Sequence, residues 1–497
     1  MKTMLEALSK QAEIRPDAPA FCDPNETLTF SDVERIADAA GSALIRLGAK
    51  REAVLLFTER CAKEIALFFA VWKAGCFYVP VDAEMGENRI RSILDRVQPR
   101  FAIADATGRK LLSAYGFAGE TLDPDALIAE APDRAALETV RAAMLDTDPA
   151  YLVFTSGSTG APKGVVGCHR AVIDYAKQIT STLRVDETDV FAMQAPLYVD
   201  ACLKEILSAL LCGSSTVLVP KRLFMTPVPL VRFLNEHRVT TLCWVVPALT
   251  LISALHTFDE VVPESLRTVA FGSEVMPPKQ LRIWQQHVKA HYLNLYGPTE
   301  CTGMSCAYPV DRTFEDGERI PIGRAFDNAE IFLLDENDRR ADEGEICIRG
   351  TSVTFGYYRD PERTAKAFVQ NPLNPDYPET VYRTGDLGRW NERGELEFLG
   401  RKDDQIKHMG HRIELGELEA AAKAVEGVDA ACAVFDRERS VLGLVYTGAI
   451  ERSALLTALR TRVPDYLLPK MSRRVDALPL TQNGKTDRKA ATALLFR

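Results

Sequence analysis

The sequence predicts an α/β protein carrying a small α+β module at its C-terminal end, and three observations support that expectation. Short runs rich in Val, Leu and Phe alternate with helical patterns over the first four hundred residues. From 331 to 399 the pattern changes to short strands separated by Gly and Asp turns. A fresh α+β pattern then begins after a charged segment at 400–404. Apolar runs without strict two-residue alternation fit strands buried on both faces, as in largely parallel sheets.

Strands are expected at 53–57, 101–104, 151–154, 216–219, 242–246 and 268–271, each followed by a Gly/Pro/Ser turn or a helical stretch such as 229–236. At 497 residues the chain exceeds one compact core. The boundary falls between an expected strand at 395–399 and an expected helix at 414–425. That gives a large domain over 1–399, a linker over 400–404 and a small domain over 405–497.

The net charge of −9 leaves no excess of Lys or Arg to cover a nucleic-acid backbone. Residues 404–497 carry +3 and the remainder −12. Such a basic module can contact phosphates or an acidic partner, and a solvated face is equally compatible. The eleven cysteines show no C-x-x-C and no metal-ligand spacing, which fits reduced thiols; Cys243 and Cys347 sit in apolar runs as small core residues. No secretory signal is readable at the N-terminus. The most apolar stretch, 65–81, contains Lys73 and closes near Pro80, so no membrane span is expected and the cytoplasm is the default location.

Five segments carry chemistry. Residues 151–165, YLVFTSGSTGAPKGV, lead a strand into a loop of small and hydroxyl residues followed by one Lys. Backbone N–H groups and hydroxyls in such a loop can cradle an anion, although the order is not that of a Walker A loop. Residues 294–302, NLYGPTECT, place an aromatic ring, a Gly-Pro turn, a hydroxyl and a carboxylate close together. Tyr296 can stack on a base and Glu300 can hold Mg²⁺ on phosphates, while a turn with a surface Glu is the commoner meaning of such a segment. In 382–387, YRTGDL, an Asp after a Gly turn suits ribose hydroxyls or a plain Asx turn. The last two are 400–419, GRKDDQIKHMGHRIELGELE, and 480–489, LTQNGKTDRK, the latter with Lys485 on an Asn-Gly turn.

Together with WKAGCFYVPVD at 72–82, GEICIRG at 344–350, GYYRDPERT at 356–364 and PDYLLP at 464–469, these segments resemble the acyl-adenylate-forming superfamily. The resemblance is strongest to the amino-acid adenylation domains of non-ribosomal peptide synthetases and their free-standing relatives, and it covers nearly the whole chain. It implies a large N-terminal body of two packed α/β sheets plus a distorted β-barrel, a hinge, and a small mobile C-terminal domain. It also implies ATP and Mg²⁺. By that resemblance Thr155, Ser156, Gly157, Ser158, Thr159, Gly160 and Lys163 belong to the loop over the β- and γ-phosphates. Gly272, Ser273, Glu274, Asn294, Tyr296 and Gly297 frame the adenine, Thr299 meets the α-phosphate, and Glu300 holds the metal. Asp386, helped by Arg401, takes the ribose hydroxyls. Lys485 bridges the substrate carboxylate and the α-phosphate, Asp403 is the hinge, and Arg412 reaches the nucleotide.

The physics is consistent with those roles. A carboxylate attacking phosphorus must overcome charge repulsion, so cations and positioning supply the catalysis, and an acid already ionised at neutral pH needs no general base. In 198–206, YVDACLKEI, Asp200 matches the position that pairs with a substrate α-amino group; its alternative is an i, i+4 pair with Lys204. The same matching gives Ala201, Lys204, Trp244, Val269, Phe271, Leu295, Gly303 and Met304 as pocket walls. The bulk of Trp244, Phe271 and Leu295 favours a small neutral side chain. Lys204, if it points inward, favours aspartate, glutamate or a β-linked acid instead. Because the sequence stops shortly after the lysine turn, the expected acyl acceptor is the phosphopantetheine thiol of a separate carrier protein, with coenzyme A as the alternative. An acyl- or aryl-CoA ligase would share the nucleotide residues, and Asp200 separates the two readings.

Overall fold

The computed structural model describes residues 1–157, 162–436, 439–480 and 486–496; Ser158, Thr159, Gly160 and Lys485 lie outside them. Two large sheets dominate. The first has nine strands, of which the six central ones (His291–Tyr296, Thr268–Gly272, Thr241–Val245, Val190–Met193, Ser215–Leu218 and Pro19–Cys22) are parallel, with antiparallel pairings only at the edges. The second has six strands. Five are parallel, and the last two, Pro149–Thr155 and Lys163–Cys168, form an antiparallel hairpin.

The expected strands are present, displaced by at most two residues at their ends. The helix expected at 229–236 starts two residues earlier at Pro227, whose missing N–H costs nothing in the first helical turn. Both large sheets share one core. Helices Ala62–Lys73, His169–Leu183 and Leu203–Cys212 contribute Phe68, Trp72, Tyr175 and Ile206 to a cluster that also holds Val54 of the second sheet and Phe191 of the first. Burial on all sides explains why Ala62–Lys73 is apolar around its circumference. Its charges sit at its two ends: Lys63 pairs with Asp125 at 3.0 Å, Glu64 is buried, and Lys73 is met by Glu34 at 2.8 Å and by Asp38. No helix among the described residues is long and apolar enough to cross a membrane.

The β-rich section is a five-stranded antiparallel sheet that ends in Thr380–Trp390 paired with Leu396–Arg401. That last strand continues through Gly400 and Arg401, so the break expected at 400–404 is confined to Lys402–Asp404. Beyond it lie a two-stranded hairpin, Gln405–His408 with His411–Glu414, and a three-stranded sheet covered by helices Leu415–Lys423 and Arg452–Arg460. The expected helix at 414–425 is thus Leu415–Lys423.

One side chain ties the carboxyl ends of the two large sheets together. Arg60 follows the strand Ala53–Phe57 of the second sheet. Its guanidinium donates to the carbonyls of Met193 (2.8 Å), Val219 (3.0 Å) and Ala195 (3.3 Å), all in or beyond strands of the first. Arg60→Met keeps the aliphatic stem but leaves three inward carbonyls without their donor. It is expected to destabilise the large domain by about 2 kcal/mol. Denaturant unfolding followed by tryptophan fluorescence checks this, and an unchanged midpoint contradicts it.

Candidate functional site

A cavity of roughly 1530 Å³ opens at the carboxyl ends of the parallel strands, between the two large sheets and the C-terminal hairpin. In open α/β sheets this is where backbone N–H groups and loop side chains converge. One part of its wall is formed by Thr155, Ser156, Ser273, Asp386, Arg401 and Arg412, and a recess in it by Asp200, Lys204, Trp244, Phe271, Leu295 and Met304. Ala201, Gly272, Gly297, Thr299 and Gly303 complete the walls.

Glu300 lies behind Arg412 with no solvent exposure. Arg412 donates one guanidinium nitrogen to both of its oxygens, at 3.0 and 2.9 Å; Lys163 is at 3.0 Å, and the Tyr357 hydroxyl donates at 2.7 Å. Burial alone would raise the Glu300 carboxyl, but Arg412 and then Lys163 outweigh it and hold the carboxyl well below its ordinary range. Lys163 is itself lowered, by burial first and by Arg412 second. Lys163 occupies the base of the Ser/Thr/Gly loop, since strand pairing places it opposite Thr155. Of this cluster Arg412 lines the cavity, with Glu300 and Lys163 behind it and Glu414 as a further nearby carboxylate.

Asp386 stands at a second anchor, opposite Arg401 in the strand pairing, where it accepts from Arg401 and from the Tyr296 hydroxyl. Arg401 also holds Asp403 through two contacts of 2.6 and 2.7 Å. Asp200 is buried at the start of the helical segment that precedes Leu203–Cys212 and accepts from Thr299 at 3.0 Å. Burial raises its carboxyl, opposed by the Thr299 bond and by Lys204. The i, i+4 ion pair with Lys204 is not formed; the Lys204 ammonium donates to the Ala201 carbonyl at 2.6 Å.

The C-terminal hairpin is docked into the cavity mouth. Ser156 donates to the Arg412 carbonyl at 2.5 Å, and the Gly410 N–H donates to Glu274 at 2.7 Å. Gly410 has φ +79° at the hairpin tip, and a Cβ there would lie 2.6 Å from the Val245 side chain, so the close approach requires glycine. Arg89 forms an ion pair with Glu417 at 3.3 Å and donates to the Phe154 carbonyl at 3.2 Å, while His411 stacks on Tyr466 at 3.7 Å.

The AMP-binding enzyme family model matches residues 8–358. The chain belongs to this family. It is 31% identical over 499 residues to tyrocidine synthase 1 of Brevibacillus parabrevis, covering 98% of this chain and 45% of that protein. It thus spans less than half the length of that curated relative. Among solved structures, IdnL1 is 29% identical with a TM-score of 0.79, covering 96% of this chain and 99% of that one. Holo-PA1221, a non-ribosomal peptide synthetase protein containing adenylation and carrier domains bound to a vinylsulfonamide inhibitor, is 25% identical with a TM-score of 0.84, covering 99% of this chain and 84% of that one. The expected fold class and the resemblance to adenylation domains are borne out, and this AMP-binding enzyme is an adenylate-forming ligase.

Eight expected positions among the described residues are not part of the cavity wall: Gly157, Lys163, Val269, Glu274, Asn294, Tyr296, Glu300 and Asp403. Val269 lies two residues deeper than Phe271 on the same strand and is fully buried in the core with Trp244 and Leu242. Asn294 and Tyr296 share the strand face opposite Leu295. The Asn294 amide donates to the Pro321 carbonyl at 2.8 Å, and the Tyr296 ring is covered by the Lys407 ammonium at 5.7 Å. Glu274 is occupied by the hairpin tip. Thr299, expected at the α-phosphate, bonds Asp200 here. Lys485 lies outside the described residues; its described flanks Leu480 and Thr486 pair with each other and do not line the cavity.

The sequence reading gave no role to Tyr357, Lys407, Arg89 or Glu417. Tyr357 and Lys407 lie inside segments already singled out, GYYRDPERT and GRKDDQIKHMG. Arg89 and Glu417 become partners only across 328 residues of sequence. Glu300→Gln removes the counter-charge from Lys163 and Arg412. The large domain should lose about 3 kcal/mol of stability, read as a lower calorimetric midpoint. An unchanged midpoint would show that the two cations need no partner.

Proposed function

We propose that this AMP-binding enzyme activates an amino acid with ATP, releasing pyrophosphate, and transfers the aminoacyl group from the adenylate to the phosphopantetheine thiol of a carrier protein. The observation that carries this reading is Asp200. It is a buried carboxylate on the cavity wall whose one direct side-chain partner among the described residues is the Thr299 hydroxyl, and it shares that cavity with Arg412, which pairs with Glu300. A buried carboxylate of this kind is stabilised by an arriving cation, and the α-ammonium of an amino acid is such a cation.

The rest of the cavity supports the nucleotide half. Asp386, oriented by Arg401 and Tyr296, accepts ribose hydroxyls. Thr155 has a buried hydroxyl without a hydrogen-bond partner among the described residues and, with Ser156, borders the phosphate end. Arg412 faces the phosphates, and Lys485 completes the charge stabilisation at the α-phosphate. Among the described residues no group of three acidic, His or Cys side chains could hold a metal by itself. One fully buried carboxylate suits a Mg²⁺ carried in on phosphate oxygens, with Glu300 as its protein ligand, and the ion would neutralise charge at the phosphates.

The docked hairpin bears on the second half-reaction. With Arg412 on Glu300 and Gly410 on Glu274, the small domain presents the hairpin to the cavity, while the flanks of the lysine turn do not line it. We assign Lys402–Asp404 as the hinge, Asp403 being its carboxylate, about which residues 405–497 exchange the lysine turn for this hairpin. The similarity to PA1221, which contains adenylation and carrier domains, supports a carrier as thiol donor, and a net +3 on residues 404–497 suits an acidic partner.

Amino-acid-dependent ATP–pyrophosphate exchange tests the reading, with at least one amino acid expected to support exchange. Exchange with benzoates or fatty acids alone would move the function to an acid–CoA ligase. Asp200→Asn is expected to lower kcat/KM for the amino acid by at least about 100-fold, with ATP binding retained; equal activity in both proteins contradicts the assigned role. Arg89→Gln removes a contact between the domains that accompanies the docked hairpin. Thioester formation should slow by about 10-fold while pyrophosphate exchange is unchanged. A parallel loss in both assays contradicts a role confined to the docked arrangement.

A further inference from the structure

We propose that Lys204 selects the substrate by pairing with a second carboxylate, so that the amino acid activated is a dicarboxylic one of aspartate to glutamate size. This rests on the amino-acid reading above and deepens it.

Lys204 is 4% exposed, yet it lines the recess. It stands in the first turn of Leu203–Cys212, and its ammonium donates to the Ala201 carbonyl. An ammonium has three donors. Among the described residues no carboxylate oxygen lies within 4.0 Å of it. A buried charge held by one neutral carbonyl is poorly compensated, and a counter-ion arriving in the recess stabilises it.

The two nearby acids do not meet that need. Asp200 is engaged by Thr299 and faces the position assigned to the substrate ammonium. Glu205 is fully buried and is not part of the recess wall. Neither of its oxygens has a hydrogen-bond partner, and burial pushes its carboxyl up to about 7. The other walls are apolar: Phe271, Leu295, Met304 and Trp244, whose indole N–H is committed to the Ala192 carbonyl at 2.7 Å. Lys204 is therefore the polar group at the side-chain end of the recess.

The placement agrees with the chemistry. Asp200 stands in the short helical turn before Leu203–Cys212 and Lys204 in the first turn of that helix; both line the cavity and they do not pair with each other, so a substrate carrying both a cation and a side-chain anion can meet the two. A neutral side chain such as that of alanine would leave Lys204 buried and unpaired, and asparagine or glutamine would bring a carbonyl in place of a charge.

The test compares pyrophosphate exchange for L-aspartate, L-glutamate, their amides, alanine and glycine in the wild-type protein, Lys204→Met and Lys204→Gln. One dicarboxylic acid is expected to exceed its amide by at least about 100-fold in kcat/KM. Both variants should lose that preference through a higher KM, while ATP binding by calorimetry and the thermal midpoint are kept. If a variant fails to fold, the wild-type preference for acid over amide decides the matter alone. A neutral amino acid as the preferred substrate, unaffected by Lys204→Met, overturns this inference and leaves amino-acid activation standing. Exchange with no amino acid at all overturns the proposed function itself.

Discussion

A carboxylate with no solvent contact, such as Glu300, is sustainable only where cations meet it directly. Here the cations come from distant parts of the chain. Lys163 stands at the base of the Ser/Thr/Gly loop and Arg412 on the C-terminal hairpin, and a neutral donor, the Tyr357 hydroxyl, joins them from the β-rich section between the strands Glu343–Gly350 and Phe368–Gln370. The same interaction fixes the loop, seats the small domain and holds Arg412 at the cavity wall. Arg412 spans both oxygens of Glu300, so the docked hairpin engages the whole of that carboxylate.

The two large sheets explain why recognition groups accumulate beside that cluster. Parallel strands deliver Asp200, Trp244, Gly272 and Gly297 at or beyond their carboxyl ends, all on one side of the first sheet. The antiparallel edge of the second sheet brings Thr155 and Lys163 to the facing side. Arg60, crossing between the sheets, keeps those two sets of ends in register.

Much of this was legible in the residues. Apolar runs located the strands because buried parallel strands carry little polar interruption, and the segments around Lys163, Glu300 and Asp386 do converge on one cavity. Side-chain direction was less accessible. Val269, Asn294 and Tyr296 lie in strands of the expected kind, but Val269 sits deeper than Phe271 on the same face, and alternation turns Asn294 toward Pro321 and Tyr296 toward Asp386, away from the cavity wall. Thr299 illustrates another limit, since a hydroxyl has several acceptors within reach and only the fold shows that Asp200 is one of them. Arg89 carries no motif, and although Glu417 lies within 400–419, only the fold shows that it is paired with Arg89. Lys204 was readable in both directions until the recess showed it as a buried wall.

The central claim is adenylate chemistry at the Glu300 cluster, and a single-turnover reaction with ATP labelled at the α-phosphate tests it most directly. Quenched after milliseconds and resolved by mass spectrometry, it should yield an enzyme-bound aminoacyl-AMP carrying the label, with pyrophosphate released in equal amount. Formation of ADP and an acyl phosphate, or no labelled acyl product with any amino acid, would contradict the account.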